Sequence, residues 1–141
     1  IKIEMNANKN NIIFSRGAIS SFLVNLPLTI NFLNEIKTII SEAVTNCIVH
    51  AYGDGAGKIY IAAELYDDNT IKIKIRDKGK GIENVSQAME PLFTTLGGER
   101  AGLGFAVMMS FMDSVKVRST LGKGTSITML KKLRQRFSVN G

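Results

Sequence analysis

Apolar and polar residues alternate over positions 2–7, which predicts a short strand. The spacing then widens to helical. Asn10 or Asn11 can cap a helix that runs to about Asn25, with Ile13, Phe14, Ile19, Phe22 and Leu23 on its apolar side. Pro27 ends that connection, and Thr29 or Asn31 can cap a second, longer helix ending near Tyr52. Glycines at 53, 55 and 57 mark a turn. Positions 58–65 and 70–76 alternate and flank Asp67-Asp68-Asn69, the pattern of a hairpin. From 77 to 104 the regularity lapses, with glycines at 79, 81, 97, 98, 102 and 104 interrupting short polar pieces. Domains keep irregular stretches of that length mainly for function. Positions 103–113 read as an apolar helix, and 114–119 and 125–132 as strands around a turn at 120–124. The order β-α-α-β-β-loop-α-β-β predicts an α+β fold, a two-layer sandwich whose mixed, mainly antiparallel sheet carries helices on one face. No repeat, linker or low-complexity segment interrupts it, so one domain over 1–141 is expected.

Composition narrows the classes. Hydrophobic residues make up 45% of the chain, enough for a core at this length without disulfides. The single cysteine, Cys47, has no internal partner, and with the lone His50 it falls short of a four-ligand zinc site. Apolar runs last a few residues, far below the ~20 a membrane span needs. Nothing at the start reads as a secretory signal, so a cytoplasmic protein without a membrane partner is expected. The net charge of +6 suggests nucleic acid until it is located. Lys116, Arg118, Lys123, Lys131, Lys132, Arg134 and Arg136 follow position 113 with no acid among them, which leaves the earlier chain close to neutral. The excess reads as a solvated edge and tail, with an acidic partner or nucleic acid as the functional alternatives.

Three stretches carry candidate chemistry. On the long helix, Glu42 and Asn46 stand at i and i+4 on the edge of an arc made by Ile36, Ile39, Ile40, Ala43, Cys47, Ile48 and Ala51. A carboxylate can accept a proton and a carboxamide oxygen can ligate a hard cation, although helices have polar edges everywhere. At a strand end, Asp77 precedes Gly79-Lys80-Gly81, where the backbone can turn sharply and approach a ligand. The loop 91–104 contains Thr94, Thr95 and Arg100 and ends in Gly102-Leu103-Gly104 ahead of the predicted helix, a natural phosphate cradle. Common nucleotide motifs fail on inspection. Only three residues lie between Gly53 and Gly57 where a P-loop needs four, and Ile59 follows Lys58 where Ser or Thr is required. Neither G-x-G is followed by the third glycine of the dinucleotide fingerprint, and no nucleophile elbow or eukaryotic kinase motif occurs.

In order, the strings SEAVTN with HAYG (Glu42, Asn46, His50), IRDKGKGI (Asp77, Gly79, Gly81), PLFTT (Thr94, Thr95), GLGF (Gly102, Leu103, Gly104) and Gly124-Thr125 resemble the ATP-binding boxes of the GHKL superfamily, which includes gyrase B, histidine kinases and MutL. Within it they are most similar to the anti-sigma serine kinases of Gram-positive bacteria, with the sporulation anti-sigma F factors nearest and the general-stress kinases next. The resemblance implies the GHKL (Bergerat) fold, ATP/ADP and Mg2+ as cofactors, and a protein serine kinase. It implies Glu42 as general base, Asn46 as the Mg2+ ligand and Asp77 as acceptor for the adenine amine. Gly79 and Gly81 would let the base approach, with Thr125 supporting Asp77 or a bound water. Residues 90–101 would form a lid, Thr94 and Thr95 would add hydroxyls, Arg100 would reach the γ-phosphate, and Gly102, Leu103 and Gly104 would line the helix start. The implied partners are a sigma factor of the sigma F type, held by a homodimer, and an anti-anti-sigma protein of the STAS class whose serine receives phosphate. Direct nucleic-acid binding is not implied. Arg16 matches a partner-binding position, a solvated arginine being the alternative. Gly97-Gly98-Glu99 makes the lid richer in glycine than the family pattern. The alternative to sporulation control is the general-stress pathway, and the alternative to a kinase is a nucleotide-gated binding module.

Overall fold

The computed structural model describes residues 1–89 and 99–133, the stretch 99–103 in its backbone only. Its strands are β1 (Lys2–Asn6), β2 (Lys58–Leu65), β3 (Thr70–Asp77), β4 (Ser114–Thr120) and β5 (Gly124–Lys132). They form one sheet in the order β1-β2-β3-β5-β4. All pairings among the described residues are antiparallel, which refines the mixed, mainly antiparallel expectation. The helices are α1 (Asn10–Leu23), α2 (Ile30–Asn46), α3 (Val85–Met89) and α4 (Glu99–Phe111).

Alternation along the strands sends Ile59, Ile61 and Ala63, Ile71, Ile73 and Ile75, and Ile127 and Met129 to one face, where all are buried. Against them lie Ile36, Ile39, Ile40 and Ala43 of α2, flanked by Ile19 and Leu23 of α1 and by Phe105 and Met108 of α4. Each such side chain contributes about 1.5–3 kcal/mol on burial. The central helix starts as expected: Thr29 Oγ1 accepts from Phe32 N at 3.1 Å. Its far end is not a continuous α-helix. Over Cys47–Ala51 the chain takes a π turn, and Tyr52 N donates to Cys47 O at 3.1 Å.

Several expectations are corrected. Lys9, not Asn10 or Asn11, occupies the N-cap of α1 and makes no side-chain cap bond; Asn8 Oδ1 accepts from Asn10 N instead, at 2.8 Å. Ile13 and Phe14 are 74% and 54% exposed rather than in the core. Counting back from Leu23 by helical steps reaches Ile19 and then Ser15, which is buried with its hydroxyl donating to Ile12 O at 2.9 Å. The stretch after Gly81 contains α3, whose entry is capped by Asn84 Oδ1 accepting from Gln87 N at 3.0 Å. Helix α4 begins at Glu99, so Gly102 and Gly104 lie inside it rather than ahead of it.

The outer face of the sheet gathers the positive charge. Lys74 and Arg76 of β3 face Thr128 and Ser126 of β5, which face Lys116 and Arg118 of β4. The basic residues of β4 thus share this face with those of β3, while the net excess itself still lies after position 113.

Candidate functional site

The polar edge of α2 points toward α4. A Cβ added at Gly104 would lie 2.9 Å from Asn46 Nδ2 and 3.3 Å from Glu42 Oε2, so glycine is what lets α4 approach this pair. Asn46 is 8% exposed, yet among the described residues neither its Oδ1 nor its Nδ2 has a hydrogen-bond partner. Leaving a buried carboxamide unpaired costs about 1–3 kcal/mol, and such groups mark places where a ligand completes the bonding. A carboxamide oxygen suits a hard cation held jointly with phosphate oxygens, so the residues present fit Mg2+. Among the described residues, no three His, Cys, Asp or Glu side chains cluster as a metal site of their own.

Asp77 ends β3 and is 6% exposed. Its Oδ1 accepts from Gly79 N at 2.9 Å and from Thr125 N at 3.2 Å. Burial raises its pKa above the ordinary aspartate value, opposed by those two N–H bonds and by a hydrogen bond with Cys47. Burial, followed by the charge of Asp77, pushes the Cys47 thiol well above its usual value, so it stays protonated and is not a nucleophile.

The segment after Asp77 is clamped on both sides. Lys80 N donates to Ala51 O at 3.0 Å, a carbonyl delivered by the π turn, and Gly122 N donates to Lys80 O at 2.6 Å. Gly81 has φ +80° and leaves no room for a Cβ against the carbonyl of Thr120. Gly79 packs in the same way on the backbone of Ala51. The glycines thus let the loop pack on the protein itself, a role beside the one expected toward a ligand.

Between α2, this loop, α3 and α4 lies a cavity of about 620 Å³, in the range of small-molecule sites. Asn46 lines one part of it and Asp77 and Thr125 another, with Phe105, Ile82 and Ala88 supplying apolar wall. Asn46, Asp77, Gly81 and Thr125 therefore share one cavity; Glu42 and Gly104 stand against Asn46, and Gly79 lies just behind. Arg16 is exposed on α1 and does not line it. Thr94 and Thr95 fall outside the described residues, as does the lid between 90 and 98; Arg100, Gly102 and Leu103 lie in the first turns of α4, described in backbone only.

Sequence reasoning missed three contributors. Cys47 read as one more apolar position of α2. Tyr52, read only as a helix end, ties two strands to the site: its hydroxyl accepts from Lys78 N at 2.7 Å and donates to Lys58 O at 2.5 Å. Ser119, read as a strand residue, accepts from Ile82 N at 2.7 Å and bonds Thr125 Oγ1 at 2.8 Å. The only hint was its place six residues before Thr125 across a turn.

Residues 6–131 match the family model described as a histidine kinase-like ATPase domain. The anti-sigma F factor of Caldanaerobacter subterraneus subsp. tengcongensis is 48% identical over 132 residues, covering 93% of this chain and 92% of its own. That of Thermoanaerobacter sp. (strain X514) is 50% identical over 119 residues, covering 84% and 82%, and that of Priestia megaterium 42% identical over 135 residues, covering 94% and 92%. Among solved structures, the histidine kinase domain of the Erythrobacter litoralis EL346 blue-light activated histidine kinase superposes with a TM-score of 0.58 at 18% identity, over 91% of this chain and 62% of that one. This likeness shows the α+β fold with its helices on one face of the sheet. By its sequence and its fold together, the chain belongs to the anti-sigma F factor family of histidine kinase-like ATPase domains.

Proposed function

We propose that this chain is an Mg-ATP-dependent protein serine kinase that phosphorylates an anti-anti-sigma protein of the STAS class and, as a homodimer, holds a sigma factor of the sigma F type that controls sporulation. The observation that carries the reading is the buried Asn46 carboxamide beside Glu42, without a hydrogen-bond partner among the described residues, in the same cavity as the buried Asp77 carboxylate. One end of the cavity suits a cation and phosphates, the other the amine of a base.

In the proposed transfer, Glu42 takes the proton of the partner's serine hydroxyl as the serine oxygen bonds to the γ-phosphorus. The bond from that phosphorus to the bridging oxygen of the β-phosphate breaks, and ADP leaves. Asn46 would hold Mg2+, which when bound neutralises charge developing on the phosphates. Asp77 accepts the base amine, and Phe105, Ile82 and Ala88 exclude water from the base. Arg16 would meet the protein partners. In support, it is exposed on α1 beside exposed Ile13 and Phe14, an apolar and cationic surface that the core leaves unused.

The test is transfer from γ-labelled ATP with Mg2+ to a STAS-class anti-anti-sigma protein, scored beside complex formation with the sigma factor. Label on a partner serine that is lost with Glu42→Gln, while ATP binding persists, is expected. Complex formation without label would refute the kinase and leave a nucleotide-gated binder.

A further inference from the structure

Behind Thr125, and outside the lining of the cavity, stands the half-buried Ser119, which the proposed transfer does not use. Its Oγ lies 2.7 Å from Ile82 N, 3.1 Å from Gly124 O and 2.8 Å from Thr125 Oγ1. A serine hydroxyl has one proton and two lone pairs. A carbonyl can only accept, so the Ser119 proton goes to Gly124. The N–H of Ile82 can only donate, so it takes one lone pair. The bond to Thr125 must then use the proton of Thr125, which is committed to Ser119. Thr125 lines the cavity, and with its proton turned away it offers the cavity lone pairs alone. Beside it Asp77 offers the same: Oδ1 is held by two N–H groups, and the carboxylate keeps further acceptor capacity.

We infer that Ser119 is a positioning residue that sets base specificity: by holding the Thr125 proton it makes this wall of the cavity acceptor-only, which admits a purine with an exocyclic amine and rejects one with a carbonyl in that place. The inference rests on the nucleotide reading given above. A 6-oxopurine would turn an acceptor toward two acceptors, and an unpaired buried polar group discriminates more strongly than a missing contact. Without the Ser119 hydroxyl, Thr125 is free to rotate and donate to that carbonyl.

The experiment compares equilibrium binding of ATP and of inosine triphosphate, which carries the carbonyl, by the intact chain, Ser119→Ala and Ser119→Thr. Ser119→Ala is expected to lower the preference for ATP by about fivefold or more, the worth of one hydrogen bond. Ser119→Thr keeps the hydroxyl and is expected to keep the preference. Equal loss of both nucleotides in Ser119→Ala would mean that Ser119 only holds the Ile82 backbone, and would overturn the inference. If Ser119→Ala does not fold, Thr125→Val is read instead: with the repelling acceptor removed the preference is expected to fall, though by less because valine cannot donate to the carbonyl, and an unchanged preference overturns the inference. An intact chain that binds neither nucleotide overturns the nucleotide reading, whereas ATP binding with an unaltered preference in the variants overturns the role of Ser119 alone.

Discussion

Gly104→Ala sets stability against function. Inside α4, alanine in place of glycine favours the helix by about 1 kcal/mol. The added methyl would sit 2.9 Å from Asn46 Nδ2 and 3.3 Å from Glu42 Oε2. Ordinary contacts begin near ~3.5 Å, so the gap must open by roughly half an ångström. Either the two side chains leave their rotamers, at about 0.5–1.5 kcal/mol, or α4 backs away from α2. These opposing contributions leave net stability within about 1 kcal/mol and the melting temperature within about 4 °C. Function has no such compensation. Displacing the proposed base and cation ligand by that distance is expected to slow transfer about 10- to 100-fold. The assay is phosphotransfer and thermal melting on the same preparations of the chain and its variant. Wild-type transfer in the variant would refute the idea that Glu42 and Asn46 need their present places. Loss of transfer with a melting temperature lower by more than about 10 °C would show that Gly104 serves the fold rather than the site.

Asp77→Asn is expected to weaken ATP binding about 10- to 100-fold by removing a charged acceptor, measured by calorimetric titration; unchanged affinity would remove Asp77 from the base site. Because burial raises the Asp77 pKa, and the ionised carboxylate accepts an amine more strongly than the protonated one, ATP affinity should decline on acidification at a higher pH than an ordinary aspartate would give. The stability contribution runs the opposite way: the folded carboxyl holds its proton more tightly than the unfolded one. Its share of stability is therefore full below the ordinary aspartate range and is lost as pH rises through the raised value, which denaturant melts of the chain and of Asp77→Asn across that range would show. Thr29→Ala removes the cap of α2 and should cost about 1 kcal/mol in a denaturant melt, with transfer unaffected.

The sheet was legible because its strands alternate strictly: Ile71, Ile73 and Ile75 against Lys72, Lys74 and Arg76 leave a single way to face a core. Thr29 was legible because a hydroxyl before an apolar period has one common use. The buried face of helix α1 was not, since its apolar residues occur around most of its circumference and a serine holds one buried place through its own backbone bond. Helix α3 is five residues long, too short for a period to register. The candidate pair Glu42 and Asn46 followed from i, i+4 spacing, but that Asn46 has no hydrogen-bond partner among the described residues, and that Gly104 is what faces it, depends on two helices meeting. Ser119 acts only through Thr125 and Ile82, and a residue with no contact to the cavity has no signature at the level of residue type.

The π turn at Cys47–Ala51 has a consequence for how this chain can change. Such a turn holds one residue more than an α-helical turn. Delete that residue and the segment can close as ordinary α-helix, rotating all that follows by about 100° and drawing it back about 1.5 Å. The carbonyl of Ala51 would then miss Lys80 N, and the elements bearing Asn46 and Asp77 would lose their common phase. Substitutions at Ile48 or Val49 can be absorbed by repacking, whereas a single insertion or deletion cannot. In this segment the number of residues is under tighter constraint than their identity.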